Sequence, residues 1–191
     1  AGYYHNTYVN IHWIDSEEIN PNNYEEMLAG LDGILVPGGF GSRGIEGMIL
    51  AAKYAREKEI PYFGICLGMQ IAVIEYARNV VGIKDANSGE FDEQCKNKVI
   101  DFMPGQNESI NKGGTLRLGA YPCKIKTGST MERCYGCDLI YERHRHRYEL
   151  CNDYRDALQE HGLTLSGISP DGRLVETVEL TERPFHVGVQ Y

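Results

Sequence analysis

Between Pro61 and Val80 a short apolar run meets a longer one, with Gly64-Ile65-Cys66-Leu67-Gly68 at the junction. Pro61 to Ile65 reads as a strand buried on both faces. Leu67 to Val80 reads as a helix with Ile71, Ile74 and Ala77 or Arg78 along its length. A strand that passes straight into a helix forces the junction residue into a tight elbow. Glycines two residues before and two after it remove the side chains that would crowd that turn. The element before this one fits the same scheme. Ile34-Leu35-Val36 is a short apolar, β-branched run expected to be buried on both faces, and the loop Pro37-Gly38-Gly39-Phe40-Gly41 follows it. From Ile45 to about Lys58, Ile45, Met48, Ile49, Ala52 and Ala55 recur at helical spacing opposite Lys53, Arg56 and Glu57. Strand, glycine loop, helix, strand and helix in succession predict an α/β domain, doubly wound, with a mostly parallel central sheet flanked by helices.

The rest of the chain is less regular. Tyr8 to Ile14 alternates, with Val9, Ile11 and Trp13 on one face, as a half-buried strand does. Asn22 and Asn23 can cap a short helix through Glu25, Met27 and Leu28 that Gly30 ends. After about Ala86 the periodicity loosens. A polar loop is expected from Gln106 to Gly114, and short alternating segments around Lys98 to Phe102 and Leu139 to His146. A helix is expected from Asp153 to His161, with closing strands at Leu174 to Glu179 and Phe185 to Gln190.

The length of 191 residues with 42% hydrophobic content supplies one core and argues for a single domain, 1–191. Tyr62 to Ala77 is broken by Gln70 and Glu75 and is too short to span a bilayer. With no basic patch and apolar stretch at the N-terminus, the expected location is cytoplasmic. A formal charge of −8 disfavours nucleic acid as a partner. The six cysteines read as reduced thiols, and Cys134-Tyr135-Gly136-Cys137, lacking a second pair, reads as a turn beside a helix end, so no metal is assigned.

Chemistry concentrates at Cys66. A thiol at a helix N-terminus meets oriented N–H groups that favour thiolate. A free cysteine is ordinarily a small buried hydrophobe, but the Gly38-Gly39 loop weighs against that here. Its strand and the strand before Cys66 are expected to end on the same sheet edge, where open α/β sheets bind ligands. A backbone N–H from that loop, together with that of Leu67, would form an oxyanion hole, each donor contributing roughly 2.7–4 kcal/mol to a transition state. No Lys-Ser/Thr pair follows the loop, and its pattern is not G-x-G-x-x-G, so nucleotide binding is the weaker reading. Strand alternation splits Arg143 to Arg147 between two faces; most are read as a solvated edge strand, while one inward arginine would clamp a carboxylate. Gln70, one turn past Cys66, can face the same pocket.

Five segments together carry a resemblance: Leu35–Gly44 (LVPGGFGSRG), Gly64–Gln70 (GICLGMQ), Asp85–Phe91 (DANSGEF), Gly113–Gly119 (GGTLRLG) and Glu142–Glu149 (ERHRHRYE). In order, they resemble the class I glutamine amidotransferases, and most closely the glutaminase domain of the CTP synthases, from about Asn10 to Tyr191. The resemblance implies Cys66 as the nucleophile that forms a γ-glutamyl thioester, and Gly39 and Leu67 as oxyanion donors. It implies Gly39, Leu67, Gly68, Met69, Gln70, Glu90 and Arg147 as the glutamine site, Glu90 meeting the α-ammonium and Arg147 the α-carboxylate. It implies no cofactor for this domain. For the whole enzyme it implies a synthetase domain on the same polypeptide, ATP, UTP and Mg2+ with GTP as activator, and a homotetramer.

The sequence departs from that pattern in three places. The His-Pro-Glu expected directly after Phe185 to Tyr191, which would supply the general base, is absent; His186 lies before that position and reads as structural. The family's first strand is absent too, so that Ala1 is expected to begin inside the following helix, and the expectation is a domain truncated at both ends. Gly89 stands where threonine is expected before Glu90. The alternatives kept open are another elbow-cysteine γ-glutamyl hydrolase and a non-catalytic glutamine-binding or regulatory domain.

Overall fold

The computed structural model describes residues 2–102 and 117–191; the expected loop from Gln106 to Gly114 and the first part of the Gly113–Gly119 segment lie outside them. Among the described residues ten strands are formed: β1 (Ile34–Val36), β2 (Tyr62–Ile65), β3 (Ala86–Ser88), β4 (Asn97–Phe102), β5 (Arg117–Ile125), β6 (Leu139–His146), β7 (Tyr148–Leu150), β8 (Thr164–Ile168), β9 (Val175–Glu179) and β10 (His186–Val189). Seven of them make the central sheet, in the order β1-β2-β10-β9-β8-β5-β6, and the other three a smaller sheet, β3-β4-β7. The helices are α1 (Tyr24–Met27), α2 (Ile45–Glu57), α3 (Leu67–Tyr76, continued by a π-helical turn Ala77–Val81), α4 (Thr130–Tyr135) and α5 (Arg155–Glu160).

The central sheet is mixed, and its parallel part is confined to the strands that carry the elbow. β1 pairs parallel with β2, and β2 with β10; the remaining pairings, β10 through β6, are antiparallel. Val36 pairs with Gly64 and Val189 with Ile65. The three parallel strands therefore end level, presenting Pro37, Cys66 and Gln190 along one carboxyl edge.

Every residue of α3 is buried. It packs against α2 on one side, β2 and β10 on another, and β3, β4 and β7 of the small sheet on a third. A helix enclosed on all sides has no polar stripe, and its two buried polar side chains need internal partners. Glu75 finds Arg56 of α2, whose guanidinium reaches both carboxylate oxygens at 2.8–3.2 Å. Gln70 finds β7 and the Gln190 that follows β10, as described below. The amphipathic α2 buries Ile45, Ile49, Ala52 and Ala55 against this assembly.

Four expectations are corrected. Tyr8 to Ile14 forms no strand and Trp13 is 90% exposed, because alternation specifies a face but not a pairing partner. Gly2 to Asn6 is a turn rather than helix. Leu35 is 59% exposed: β1 is an edge strand covered on one face only. Asn23 is the N-cap of α1, but its side chain accepts from the Asn20 N–H instead of a helical one. The Cys134–Cys137 segment is the end of α4, with Gly136 in the left-handed region, as expected.

Candidate active site

Cys66 sits between β2 and α3 at φ 52°, ψ −100°, a conformation that costs a non-glycine residue roughly 1–3 kcal/mol. The surroundings over-determine it. Its N–H donates to the Val189 carbonyl at 2.6 Å, and its carbonyl accepts from the Gln70 N–H at 3.2 Å. A side chain on Gly64 would lie 2.4 Å from the Gly68 carbonyl oxygen, and one on Gly68 would lie 2.1 Å from that of Val36. The flanking glycines are thus required by backbone-to-backbone approach. Tyr62 locks the turn further, its hydroxyl donating to the Gly68 carbonyl at 2.8 Å.

The Pro37–Gly41 loop closes over the elbow. A Cβ on Gly38 would stand 3.5 Å from the Cys66 Cβ, and one on Gly39 would stand 3.0 Å from Leu67 Cδ2. The far side of the loop is held by Glu90, just beyond β3, whose Oε1 accepts from the Gly41 N–H at 2.9 Å. Burial raises the Glu90 carboxyl above its ordinary range, while the Gly41 N–H and the Arg147 guanidinium pull it down. Arg147, half-buried between β6 and β7, therefore acts on Glu90 electrostatically, and the Glu90 carboxylate in turn acts on the thiol. Gly89 lies against Asp101, whose Oδ1 would be 2.7 Å from an added Cβ, so a larger residue there requires Asp101 to move.

The thiol itself departs from expectation. Burial pushes its pKa up, outweighing the lowering by the Leu67 N–H and the Gln190 amide, and the carboxylates of Glu90 and Glu149 add to the rise. The helix N-terminus alone does not make this cysteine a thiolate in the resting domain.

Gln70 is almost fully buried. Its amide nitrogen donates to the Tyr148 carbonyl at 3.2 Å and to Gln190 Oε1 at 3.3 Å. Gln190 in turn points its amide nitrogen at Cys66 Sγ, 3.6 Å away. Gln190 is absent from the residues picked out by sequence, although a polar residue closing the apolar run Val187 to Val189 is a legible signal. Met69 is fully buried against Gly188, so its side chain is part of the core. His186 pairs with Tyr62 at the opposite end of β10 from Cys66 and stacks on that ring at 4.7 Å. Arg143 and Arg145 face solvent and His144 and His146 are buried, the split that alternation predicts.

Two surface cavities of about 430 and 450 Å3 lie elsewhere, beside Ser16 and Phe91 and beside Arg56 and His161. Cys66 lines neither. No helix among the described residues is long and apolar enough to cross a membrane.

The family described as "Glutamine amidotransferase class-I" matches residues 1–191. The chain belongs to the class I glutamine amidotransferases. Among curated relatives of this amidotransferase domain are a CTP synthase of Caldanaerobacter subterraneus subsp. tengcongensis, 57% identical, and one of Bacillus subtilis, 53% identical. Each match covers 100% of this chain but 36% of the relative, so the domain spans about a third of their length. A solved structure, the glutaminase domain of Trypanosoma brucei CTPS with bound acivicin, superposes with TM-score 0.93 at 40% identity, covering all of this chain and 75% of that one. A glutamine amidotransferase of Methylobacillus flagellatus shares the fold at 12% identity and TM-score 0.59, over 99% of this chain and 61% of that one.

Proposed function

We propose that this domain is the glutaminase part of a CTP synthase and hydrolyses L-glutamine to glutamate and ammonia. The observation that carries the reading is the strained Cys66 elbow, roofed by the Gly38-Gly39 loop, with Glu90 holding that loop and Arg147 acting on Glu90. Glu90 receives the substrate α-ammonium and Arg147 the α-carboxylate, so an amino acid is held at both ends with its side-chain amide toward Sγ. The sulfur, once deprotonated, attacks the amide carbon. Negative charge moves to the carbonyl oxygen, which the N–H groups of Gly39 and Leu67 stabilise. The C–N bond breaks, protonated nitrogen leaves as ammonia, and the γ-glutamyl thioester remains. Water then adds to the thioester carbon and the C–S bond breaks, giving glutamate and the free thiol.

The raised thiol pKa makes a base necessary. Gln190, the side chain hydrogen-bonded to Sγ among the described residues, is a donor rather than a base. The resemblance assigns that task to a histidine following Tyr191. The close relatives, the resemblance and the site chemistry together support the wider reading. In it, ammonia passes to a synthetase domain of the same polypeptide and aminates UTP with ATP and Mg2+ under GTP activation, in a tetrameric, cytoplasmic enzyme. The test is ammonia release from L-glutamine by the native polypeptide carrying this domain, beside its Cys66→Ala variant. Release that drops by about a thousandfold or more supports the assignment; undiminished release in the variant overturns it.

A further inference from the structure

Behind the candidate site, four strands contribute a buried cluster that the reaction does not use: Arg117 from β5, His144 and His146 from β6, Glu149 from β7 and Glu176 from β9. Arg117 Nη1 lies 2.7 Å from Glu176 and 3.6 Å from Glu149, and His146 Nδ1 lies 3.4 Å from Glu149. The cluster sits where the two sheets meet. β6 belongs to the large sheet and β7 to the small one, and Arg147 is the single residue between them. A chain that leaves one sheet for another has no continuous ladder at the crossing, so side chains must fix its direction there.

The hydrogen-bond directions can be deduced. A carbonyl only accepts, so His146 Nδ1 donates to the Tyr148 carbonyl, 3.2 Å away. Burial and the nearby Arg117 charge keep both imidazoles neutral, His144 at a pKa of about 3 and His146 at about 4. His146 Nε2 is then a bare acceptor, and His144 Nδ1 donates to it at 2.8 Å. The same Tyr148 carbonyl accepts from Gln70, which holds Gln190, which donates to Cys66 Sγ. A continuous set of oriented bonds joins the cluster to the nucleophile, and the Tyr148 carbonyl is its meeting point.

We infer that His146 is a positioning residue for glutamine recognition: its bond to the Tyr148 carbonyl fixes the β6–β7 crossing that aims Arg147 and holds the Gln70–Gln190 pair on Cys66. This rests on the glutaminase reading given above. The experiment measures iodoacetamide labelling of Cys66 in the native polypeptide, resolved by peptide mass spectrometry, with and without L-glutamine. Glutamine is expected to protect the wild-type thiol. In His146→Leu the half-protecting concentration rises about tenfold, the loss of one buried hydrogen bond. In His146→Asn, whose amide nitrogen occupies the Nδ1 position, it returns to within about threefold of wild type. Thermal unfolding of each variant accompanies the measurement, because a role limited to packing changes stability without this Leu/Asn contrast. If His146→Leu does not fold, His146→Gln is the loss variant, keeping polarity toward His144 while placing its amide at the Nε2 position. Unchanged protection in the loss variant, or equal effects of loss and Asn variants, overturns the inference. Absence of glutamine protection in wild type overturns the glutaminase reading itself and the inference with it.

Discussion

Replacing Gly68 with alanine puts one methyl group 2.1 Å from the Val36 carbonyl oxygen and 3.0 Å from its carbon. An ordinary carbon–oxygen contact is about 3.3 Å, so the two backbones must separate by roughly 1 Å. Neither neighbour is a side-chain tip that can swing away. Overpacking of this kind costs about 1–3 kcal/mol, and with backbone on both sides the upper end applies. At about 2–4 °C per kcal/mol for a domain of this size, the expected fall in Tm is about 6–12 °C. The segment that yields is the end of β1, which leads directly into the Gly38-Gly39 loop, so Gly39, the proposed oxyanion donor of that loop, shifts with it. A misplacement of about 1 Å in such a group lowers turnover on the order of a hundredfold. Differential scanning calorimetry and glutaminase turnover of Gly68→Ala test both parts. Gly33→Ala, whose Cβ would meet Pro61 at an ordinary 3.6 Å, is the control. A Gly68→Ala protein with the Tm and turnover of the Gly33→Ala control would refute the claim that close approach, rather than chance, places glycine in the elbow.

Two further outcomes follow from the same geometry. Cys66→Gly should be more stable than Cys66→Ala by about 1 kcal/mol in thermal unfolding, because only the former relieves the positive φ of 52°; equal stabilities would show the elbow to be unstrained. His186, buried neutral with its pKa lowered to about 4, takes up a proton on unfolding anywhere between that value and its ordinary value near 6.5. Stability is therefore lost on acidification through this window. His186→Phe, which keeps the stacking on Tyr62, should flatten the acid limb by up to about 1.4 kcal/mol per pH unit and leave neutral stability little changed. Parallel stability curves for wild type and variant from urea titrations would contradict the buried-histidine account.

The parts of this domain that can be read from sequence are those where a local pattern and the tertiary demand coincide. The Gly64–Gly68 elbow is such a case: the glycines needed by the turn are also those needed by helix-on-strand approach. So is α2, whose stripe faces the core. β1 misleads because an apolar run reports hydrophobicity but not sheet position, and Leu35 lies on the uncovered face of an edge strand. β5 and β8 are hidden for another reason. Residues such as Gly119, Pro122 and Gly167 interrupt their apolar pattern, and antiparallel pairing supplies what periodicity does not. Within the site, Cys66, Glu90 and Arg147 each sit in a distinctive segment. The contact of Gln190 with Cys66 and the Arg117 cluster become visible only when strands distant in sequence come together, since no local spacing relates residue 66 to residue 190.

That separation bears on how the nucleophile comes into being. β10 lies between β2 and β9, pairing parallel on one side and antiparallel on the other. Until it inserts, the Cys66 N–H has no Val189 carbonyl to meet, the thiol has no Gln190 amide beside it, and the parallel and antiparallel halves of the large sheet are not joined. During synthesis, the ribosome must add 124 residues after Cys66 before Gln190 exists. At about 5–20 residues per second this amounts to roughly 6–25 s in which the elbow is an open thiol on an unfinished sheet edge. The thiol is therefore most exposed to oxidants and to strand-pairing with other chains while the protein is being made, and insertion of one four-residue strand ends both hazards together.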